Sequence, residues 1–150
     1  MKNSFILTTL ILTGIFYFNT VAKAQQQYDT LCEHKTYYSL AEALKDPLNV
    51  QKLDLSMQKL TVFPEEILQL KNLVCLDLSF NRIAILPPTF SSLTNLKVLN
   101  LMGTRYMSKL PKILTQMPGL LVVDLRDHPE WLPARFDEAV KLLPNVTVIK

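Results

Sequence analysis

The chain has 150 residues, of which 49% are hydrophobic and 19% are charged, a composition that favours a packed core and argues against a disordered chain. Its length suits one domain better than two. Only three glycines are present in the whole chain, which argues against a glycine-rich phosphate-binding loop. The formal net charge of +3 says little about binding to nucleic acid, because part of it belongs to the N-terminal segment.

The first 24 residues have the pattern of a signal peptide. Lys2 precedes an apolar stretch from Phe5 to Phe18, and residues 22–24 read Ala-Lys-Ala, the small-x-small pattern that a signal peptidase accepts. The alternative is an uncleaved membrane anchor, but the apolar stretch is shorter than the roughly 20 residues that span a bilayer. We therefore predict cleavage after Ala24 and export, in a bacterium, to the periplasm, the cell surface or the medium.

The chain that remains after this cleavage is nearly neutral. Of the 16 basic side chains, Lys2 and Lys23 are removed, which leaves 14 against 13 acidic ones. A net charge close to +1 predicts no binding to nucleic acid and, with the signal removed, no stable membrane insertion. Cys32 and Cys75 remain, and in an oxidising compartment they either pair or stay apart, which the sequence leaves open.

Consecutive segments of the chain align with one another. One of them reads LVCLDLSFNRIAILPPTFSSLTN. Its apolar residues follow neither a helical nor a strand period throughout, because alternation holds around Leu76 and Leu78 and breaks at Asn81. This pattern predicts a short strand, a turn and a return segment in every unit. The units are residues 50–72, 73–95, 96–119 and 120–145, with a partial fifth at 146–150.

The shared skeleton, L-x-x-L-x-L-x-x-N-x-L-x-x-L-P-x-x-I-x-x-L, resembles the leucine-rich repeats in their LP-x-x-I/L variety, here as a small exported bacterial member. The resemblance covers residues 50–150. It implies an α/β fold: a leucine-rich-repeat solenoid, or short horseshoe, with parallel strands on the concave side, an irregular or helical convex side and an N-terminal capping helix. One repeat cannot bury its own apolar face, so stacked repeats share one core.

The repeat register assigns the core. Each strand sends two apolar side chains inward, and the residue before each repeated proline sends one more. The inward strand pairs are Leu53/Leu55, Leu76/Leu78, Leu99/Leu101 and Val123/Leu125, and the proline pairs are Phe63-Pro64, Leu86-Pro87, Leu110-Pro111 and Leu132-Pro133. Trp131 is also expected in the core.

The ninth position of the repeat is, in this family, an inward asparagine that bonds to backbone groups at the turn. Here the series is Gln58, Asn81, Thr104 and His128. The resemblance therefore implies a partial asparagine ladder and a less regular C-terminal half. His128 stands among acidic residues, but its spacing fits no strong metal-ligand motif, and we interpret it as a turn filler.

The two ends of the solenoid are expected to differ. Residues 25–49 form an N-terminal cap in which Ser39 and Glu42 make a capping box and Pro47 ends a short helix. The C-terminal end has no comparable cap, because residues 146–150 stop partway through a strand. This open edge allows self-association of the chain.

The outward strand residues form the candidate functional surface. In register, four of them make a column that we call the aspartate column (Asp54, Asp77, Asn100 and Asp124), and Val148 with Lys150 is expected to continue the outward rows. Adjacent carboxylates suit acid–base chemistry or a cation, or are solvated residues of a binding surface. No nucleophile or histidine lies in the column, so we favour the second interpretation.

Phe80 and Met102 are large apolar side chains on a mostly polar sheet, and such residues indicate protein contact. The sequence thus predicts a non-catalytic module that binds a protein or peptide on its concave face, with no metal or cofactor. The alternatives are a self-associating envelope protein and, less favoured, a hydrolase or metal-dependent enzyme at the aspartate column. The candidate ligand-binding residues are Asp54, Ser56, Asp77, Ser79, Phe80, Asn100, Met102, Asp124 and Arg126.

Overall fold

The computed structural model describes residues 22–150, so the apolar stretch of the predicted signal peptide lies outside the described residues. Within residues 22–150, six short strands form one parallel sheet whose order follows the chain. The strands are β1 (Thr36–Tyr37), β2 (Lys52–Asp54), β3 (Cys75–Asp77), β4 (Val98–Asn100), β5 (Val122–Asp124) and β6 (Thr147–Ile149). Successive repeats are therefore stacked side by side, and the expected solenoid is confirmed.

Helical segments run along the opposite, convex side. Helix α1 (residues 22–31) lies instead on the concave face. The other described α-helices are α2 (Leu40–Ala43), in the N-terminal cap, and α3 (Pro133–Leu142), in the fourth repeat. The first three repeats return instead through tighter 3-10 turns at Glu65–Gln69, Pro88–Ser92 and Lys112–Gln116. A proline precedes or opens each return segment, which fixes φ and suits a sharp bend after the extended stretch.

The core lies between the sheet and these return segments. Equivalent leucines of neighbouring repeats pair directly, as Leu53 does with Leu76 and Leu76 with Leu99, and all three are buried. Phe63 and Phe90 meet edge to face at 5.3 Å between ring centroids. Each repeat thus supplies one layer of a continuous core, and no layer is complete without its neighbour.

The N-terminal cap contains the predicted helix and a strand that the sequence pattern did not predict. Ser39 Oγ accepts the backbone N–H of Glu42 at 3.4 Å, as a capping serine does, and Ala43 is buried. β1 precedes this helix and pairs with β2. Because β1 has only two residues, its sequence cannot show an alternation of apolar and polar side chains, and the strand is recognised only by its pairing with β2.

The fourth repeat departs from the predicted core register. Leu132 was expected to point inward before Pro133, but it is exposed, whereas Trp131 is buried as expected. The indole Nε1–H of Trp131 donates to the Met107 carbonyl at 2.8 Å. This repeat is longer than the others, and its return segment is the full helix α3, so the inward position falls one residue earlier than the proline pattern suggests.

The last strand departs from its predicted register by one residue. Val148 pairs with Val123 and faces the core, whereas Thr147 and Ile149 face outward. Val148 and Lys150 were expected at the outward places. The turn before β6 closes as in the previous repeat, by the Val146 N–H to the Leu143 carbonyl, but the strand then starts one residue sooner. A one-residue shift exchanges the two faces of a strand.

Cys32 and Cys75 form a disulfide, with their Cα atoms 5.8 Å apart. This resolves the alternative that the sequence left open. The bond joins the segment after α1 to the outward face of β3 and closes a loop with a sequence separation of 43 residues. In the chain-entropy account, a loop of this length stabilises the folded state by about 4 kcal/mol.

Replacing the disulfide by Cys32→Ala and Cys75→Val should lower the free energy of unfolding by roughly 2–4 kcal/mol. Valine suits position 75 because Val98 and Val122 occupy the equivalent places in β4 and β5. Urea unfolding of the variant and of the natural protein, with and without reductant, measures the difference. Equal midpoints for the variant and the oxidised natural protein would contradict a stabilising role.

Candidate functional site

Two rows of side chains face outward from the sheet. One row, which we call the apolar row, consists of Cys75, Val98 and Val122, and the other is the aspartate column. The strand register sets Asp54 beside Asp77, Asp77 beside Asn100, and Asn100 beside Asp124, so the expected column is formed. Ile149 ends it on β6.

The apolar row is covered by α1, which the sequence interpretation did not anticipate. Ala24 is buried in one cluster with the apolar row and with Ile149, and Tyr28 and Leu31 pack against that cluster. Lys52 Nζ donates to the Cys32 carbonyl at 3.1 Å and holds the end of the segment. The sequence did contain one indication of this cover. Two valines lie side by side on the outward face of the sheet, and such a pair is unusual on a face exposed to water.

Tyr28 lies over the aspartate column. Burial, followed by the negative charges of Asp77, Asp124 and Asp54 and then of Asp29, raises the pKa of its phenol to about 12. The phenol therefore stays protonated at neutral pH. Helix α1 thus occupies part of the concave face that was expected to be open.

Each side chain of the aspartate column accepts a backbone N–H two residues further on. The acceptor is an Oδ1 atom in every repeat, at 2.9 Å for Asp54, 2.8 Å for Asp77, 3.0 Å for Asn100 and 3.0 Å for Asp124. These short side chains can close such turns because their oxygen reaches their own backbone. The column therefore has a structural task at the end of each strand.

Asn100 separates the carboxylates of the column. Its Nδ2–H donates to Asp77 Oδ2 at 2.7 Å, so a neutral amide stands where a further carboxylate would repel Asp77. Burial, with a smaller contribution from the Asp54 charge, raises the pKa of Asp77 above its ordinary value, although hydrogen bonds from Ser79 and Asn100 lower it. The charged form of Asp77 thus opposes folding above that pKa.

Asp124 is held by Arg126. Nε of the guanidinium lies 3.0 Å from Oδ1 and Nη2 lies 2.6 Å from Oδ2, a bidentate arrangement that fixes both groups. The Asp124 side chain is 2% exposed, whereas that of Arg126 is 42% exposed. Arg126 therefore covers the carboxylate and presents its own outer surface to solvent.

A left-handed turn follows each of β2, β3, β4 and β5, at the eighth position of the repeat. The residues there have φ between 54° and 65° and form what we call the rim: Met57, Phe80, Gly103 and Asp127. Only glycine adopts this conformation without cost. The Phe80 ring lies on Gly103, where an added Cβ would stand 2.6 Å from Phe80 Cδ1. Glycine is therefore favoured at this position for two reasons: its positive φ and the space that the Phe80 ring occupies.

Large apolar side chains remain exposed at the rim. Met57 is 69% exposed and Phe80 37% exposed. A shallow pocket of about 230 Å³ beside Phe80 is lined also by Arg82, Arg105 and Tyr106. Arg105 lies 3.8 Å from the Asp127 carboxylate. Aromatic and arginine side chains together are the composition that carries binding energy at protein interfaces.

The candidate residues fall into two groups. Ser79, Asn100 and Asp124 are buried and support the turns, so a ligand reaching the sheet from solvent would not touch them. The others are half-buried or exposed. They are Asp54, Ser56, Asp77, Phe80, Met102 and Arg126. The repeat register of the sequence placed all nine residues on one face, but it did not show which of them are buried and which are accessible to solvent.

The ninth-position residues all bond to backbone carbonyls. Asn81 Nδ2 donates to the Leu55 carbonyl at 2.8 Å, and Thr104 Oγ1 donates to that of Leu101 at 2.7 Å. His128 Nε2 lies 3.0 Å from the same Leu101 oxygen. Different side chains thus fill the role of asparagine. His128 is buried against Trp131, and residues 22–150 contain no group of three metal-ligating side chains.

We expect Asn100→Asp to lower the free energy of unfolding by about 2 kcal/mol at pH 7. The amide donor to Asp77 would be replaced by a fourth carboxylate of the column, placed between Asp77 and Asp124. Because the pKa of Asp77 is already raised, the cost is present above the folded-state pKa values and shrinks as the carboxyls are protonated. Unfolding followed at pH 7 and near pH 4, as the difference from the natural protein, tests this.

The matched control is Asp77→Asn combined with Asn100→Asp, which reverses the amide–carboxylate pair. Position 77 then donates and position 100 accepts, and the new carboxylate stands beside Asp124, whose charge Arg126 already binds. The double variant should recover at least half of the loss. An equal loss for the single variant at both pH values would assign it to packing instead of charge.

Comparisons with known proteins agree with this geometry. A family model described as leucine rich repeat matches residues 48–106. Among 24 solved chains that match, one is a leucine-rich repeat protein of Leptospira interrogans, with 29% identity, a TM-score of 0.52 and coverage of 78% of this chain and 35% of that one. The chain thus spans about a third of that protein's length.

No curated protein matches the sequence. None of the helices in residues 22–150 combines the length and the apolar character that crossing a bilayer requires. The stacked repeats, the parallel sheet, the family model matched over residues 48–106 and the solved relative together show that the chain has a leucine-rich-repeat solenoid fold.

Proposed function

We propose that this protein is an exported, non-catalytic binding module that holds a protein or peptide ligand at the rim and the accessible part of the concave face. The observation that carries the proposal is the exposure of Met57 and Phe80. The core buries the apolar side chains of its strands almost completely, so large apolar side chains left in water at the strand ends point to a contact made with another molecule.

The charges around the rim suggest the chemistry of the ligand. Arg82 and Arg105 line the pocket beside Phe80, and the Arg126 side chain, which is bound to Asp124, is 42% exposed. A peptide with an apolar side chain and nearby carboxylates complements this surface, because arginine binds carboxylates bidentately. Helix α1 leaves the rim uncovered, so this part of the sheet is the accessible one.

The column supports binding more than catalysis. Each Oδ1 is engaged by a backbone N–H, and Asp124 is further bound by Arg126. Leucine-rich repeat proteins typically serve as interaction modules without enzymatic activity. A carboxylate that closes a turn is poorly placed to move a proton or attack a substrate.

The disulfide supports export. Disulfides persist in oxidising compartments and are rare in the cytosol, and the Cys32–Cys75 bond fixes α1 to the sheet. We therefore propose the periplasm, the cell surface or the medium as the place of action, consistent with the predicted signal peptide.

The test uses two variants that each remove two exposed apolar side chains. Met57→Ser with Phe80→Ser alters the rim, whereas Val62→Ser with Ile85→Ser alters the flank of the solenoid, where both side chains are also exposed. The natural protein is first used to capture ligands from envelope and culture-supernatant proteins. A captured protein is then purified, and its dissociation constant is measured with all three forms by calorimetry.

We expect the rim variant to bind at least tenfold more weakly, since a large anchor residue typically contributes more than 1.4 kcal/mol. The flank variant should bind as the natural protein does. Circular dichroism and urea unfolding confirm that both variants are folded. Equal affinity of the rim variant and the natural protein, or loss only in the flank variant, would contradict the proposed site.

Self-association is the second candidate, and one observation favours it. In the described sheet β6 pairs on one side only, with β5, and an unpaired strand edge can accept another strand. Sedimentation of the oxidised protein over a hundredfold concentration range tests it. A mass that rises with concentration supports pairing through β6, and a constant monomer mass removes this candidate.

A further inference from the structure

A groove lies on the flank of the solenoid, away from the rim, where the second and third repeats approach their return segments. We call it the flank groove, and its volume is about 500 Å³. The wall from the second repeat is apolar throughout and consists of Ala84, Ile85, Leu86 and Pro88. The wall from the third repeat adds Leu110 and Ile113 but also carries Lys109 and Lys112.

Leu86 forms the buried base of the apolar wall, whereas Ile85 stands in solvent. Ile85 is 75% exposed, and Val62, 73% exposed, lies one repeat away in a smaller groove that shares Ala84 and Ile85. No side chain of residues 22–150 covers either of them. A contiguous apolar strip with polar residues along one border is typical of a binding surface.

The polar border of the flank groove is positive. Lys109 and Lys112 make no ion pair within residues 22–150, and no carboxylate lines the groove. Glu65 is the acidic residue of the neighbouring groove, one repeat away. A ligand that fills the flank groove therefore binds more tightly if it has an apolar body and a negative group at one end.

We propose that the flank groove binds an aliphatic carboxylate, with its chain along Ala84, Ile85 and Ile113 and its carboxylate at Lys109 and Lys112. The volume is within the range of pockets that bind small ligands. A peptide is less suitable, because it carries an amide donor and acceptor at every residue, and the second-repeat wall offers only apolar side chains. An alkyl chain needs no such partners.

The probe is dodecanoate, used below its aggregation concentration, with dodecyltrimethylammonium as the probe of equal chain and opposite charge. Isoleucine methyl groups labelled with ¹³C report the site, because Ile85 and Ile113 line the groove and Ile67 is buried in the core. We expect dodecanoate to shift the methyl signals of Ile85 and Ile113 saturably, leaving that of Ile67 in place. Dodecyltrimethylammonium should bind more weakly.

Two variants test the walls separately. Lys109→Glu with Lys112→Glu should weaken dodecanoate binding about tenfold, whereas Lys45→Glu with Lys71→Glu makes the same change in net charge elsewhere and should leave it within about twofold. Ala84→Trp should abolish binding by filling the groove, and Ala84 is exposed, so the larger side chain does not disturb the core.

Several results would overturn the inference. Equal binding of the two probes, or equal binding by the two lysine variants, would show that charge does not select the ligand. Methyl shifts outside the flank groove would place the site elsewhere. Binding of the peptide acetyl-Leu-Glu-Leu-Glu-amide at Ile85 in the absence of dodecanoate binding would assign the groove to a peptide. None of these results depends on the rim, so the two proposals fail or succeed independently.

Discussion

The fold depends on how the polar backbone groups are satisfied at the end of each very short strand. The strands have only two or three residues, so a large fraction of the strand residues lies at a strand end. After each of β2, β3, β4 and β5 the aspartate-column side chain accepts an N–H, the rim residue turns the chain through a left-handed conformation, and the ninth residue donates to a carbonyl. An unsatisfied buried group at any of these places would cost about 1–3 kcal/mol.

This constraint can be met by different side chains at the ninth position of the repeat. Asn81 bonds to the Leu55 and Leu78 carbonyls at once, and the shorter Thr104 reaches only that of Leu101. His128 is long enough to reach back to the same Leu101 carbonyl from the next repeat. The shorter and longer side chains are therefore complementary, and the carbonyls remain bonded although only one of the four residues is asparagine.

The leucine columns, the parallel register and the candidate face could be predicted because each follows from a repeat that four segments share. What could not be predicted depends on single departures from that repeat. In the lengthened fourth repeat Leu132 is exposed although the proline pattern placed it inside, and an earlier start to β6 exchanges the two faces of that strand. A one-residue shift changes a sequence alignment very little, but in a strand it moves every side chain to the opposite face of the sheet.

The covering of the apolar row by α1 could not be predicted from the sequence for a different reason. The residues that cover it belong to α1, which begins at residue 22, inside the segment whose sequence indicates export. Ala24 is the last residue before the predicted cleavage, whereas Tyr28 and Leu31 follow it and belong to the chain that remains. The outward Val98 and Val122 required a cover, and the disulfide at Cys75 shows which segment supplies it. The concave face is thus divided into a covered half and an accessible half.

This division decides where a ligand can gain free energy. On the covered half the apolar area is already buried by α1, so a second molecule would first have to displace a helix that a disulfide holds close at high effective concentration. At the rim and on the flank the apolar side chains of Phe80 and Ile85 are still in water, and burying them costs no internal contact. Binding is therefore expected where the solenoid leaves apolar side chains uncovered, at its turns and flank and not at the centre of its sheet.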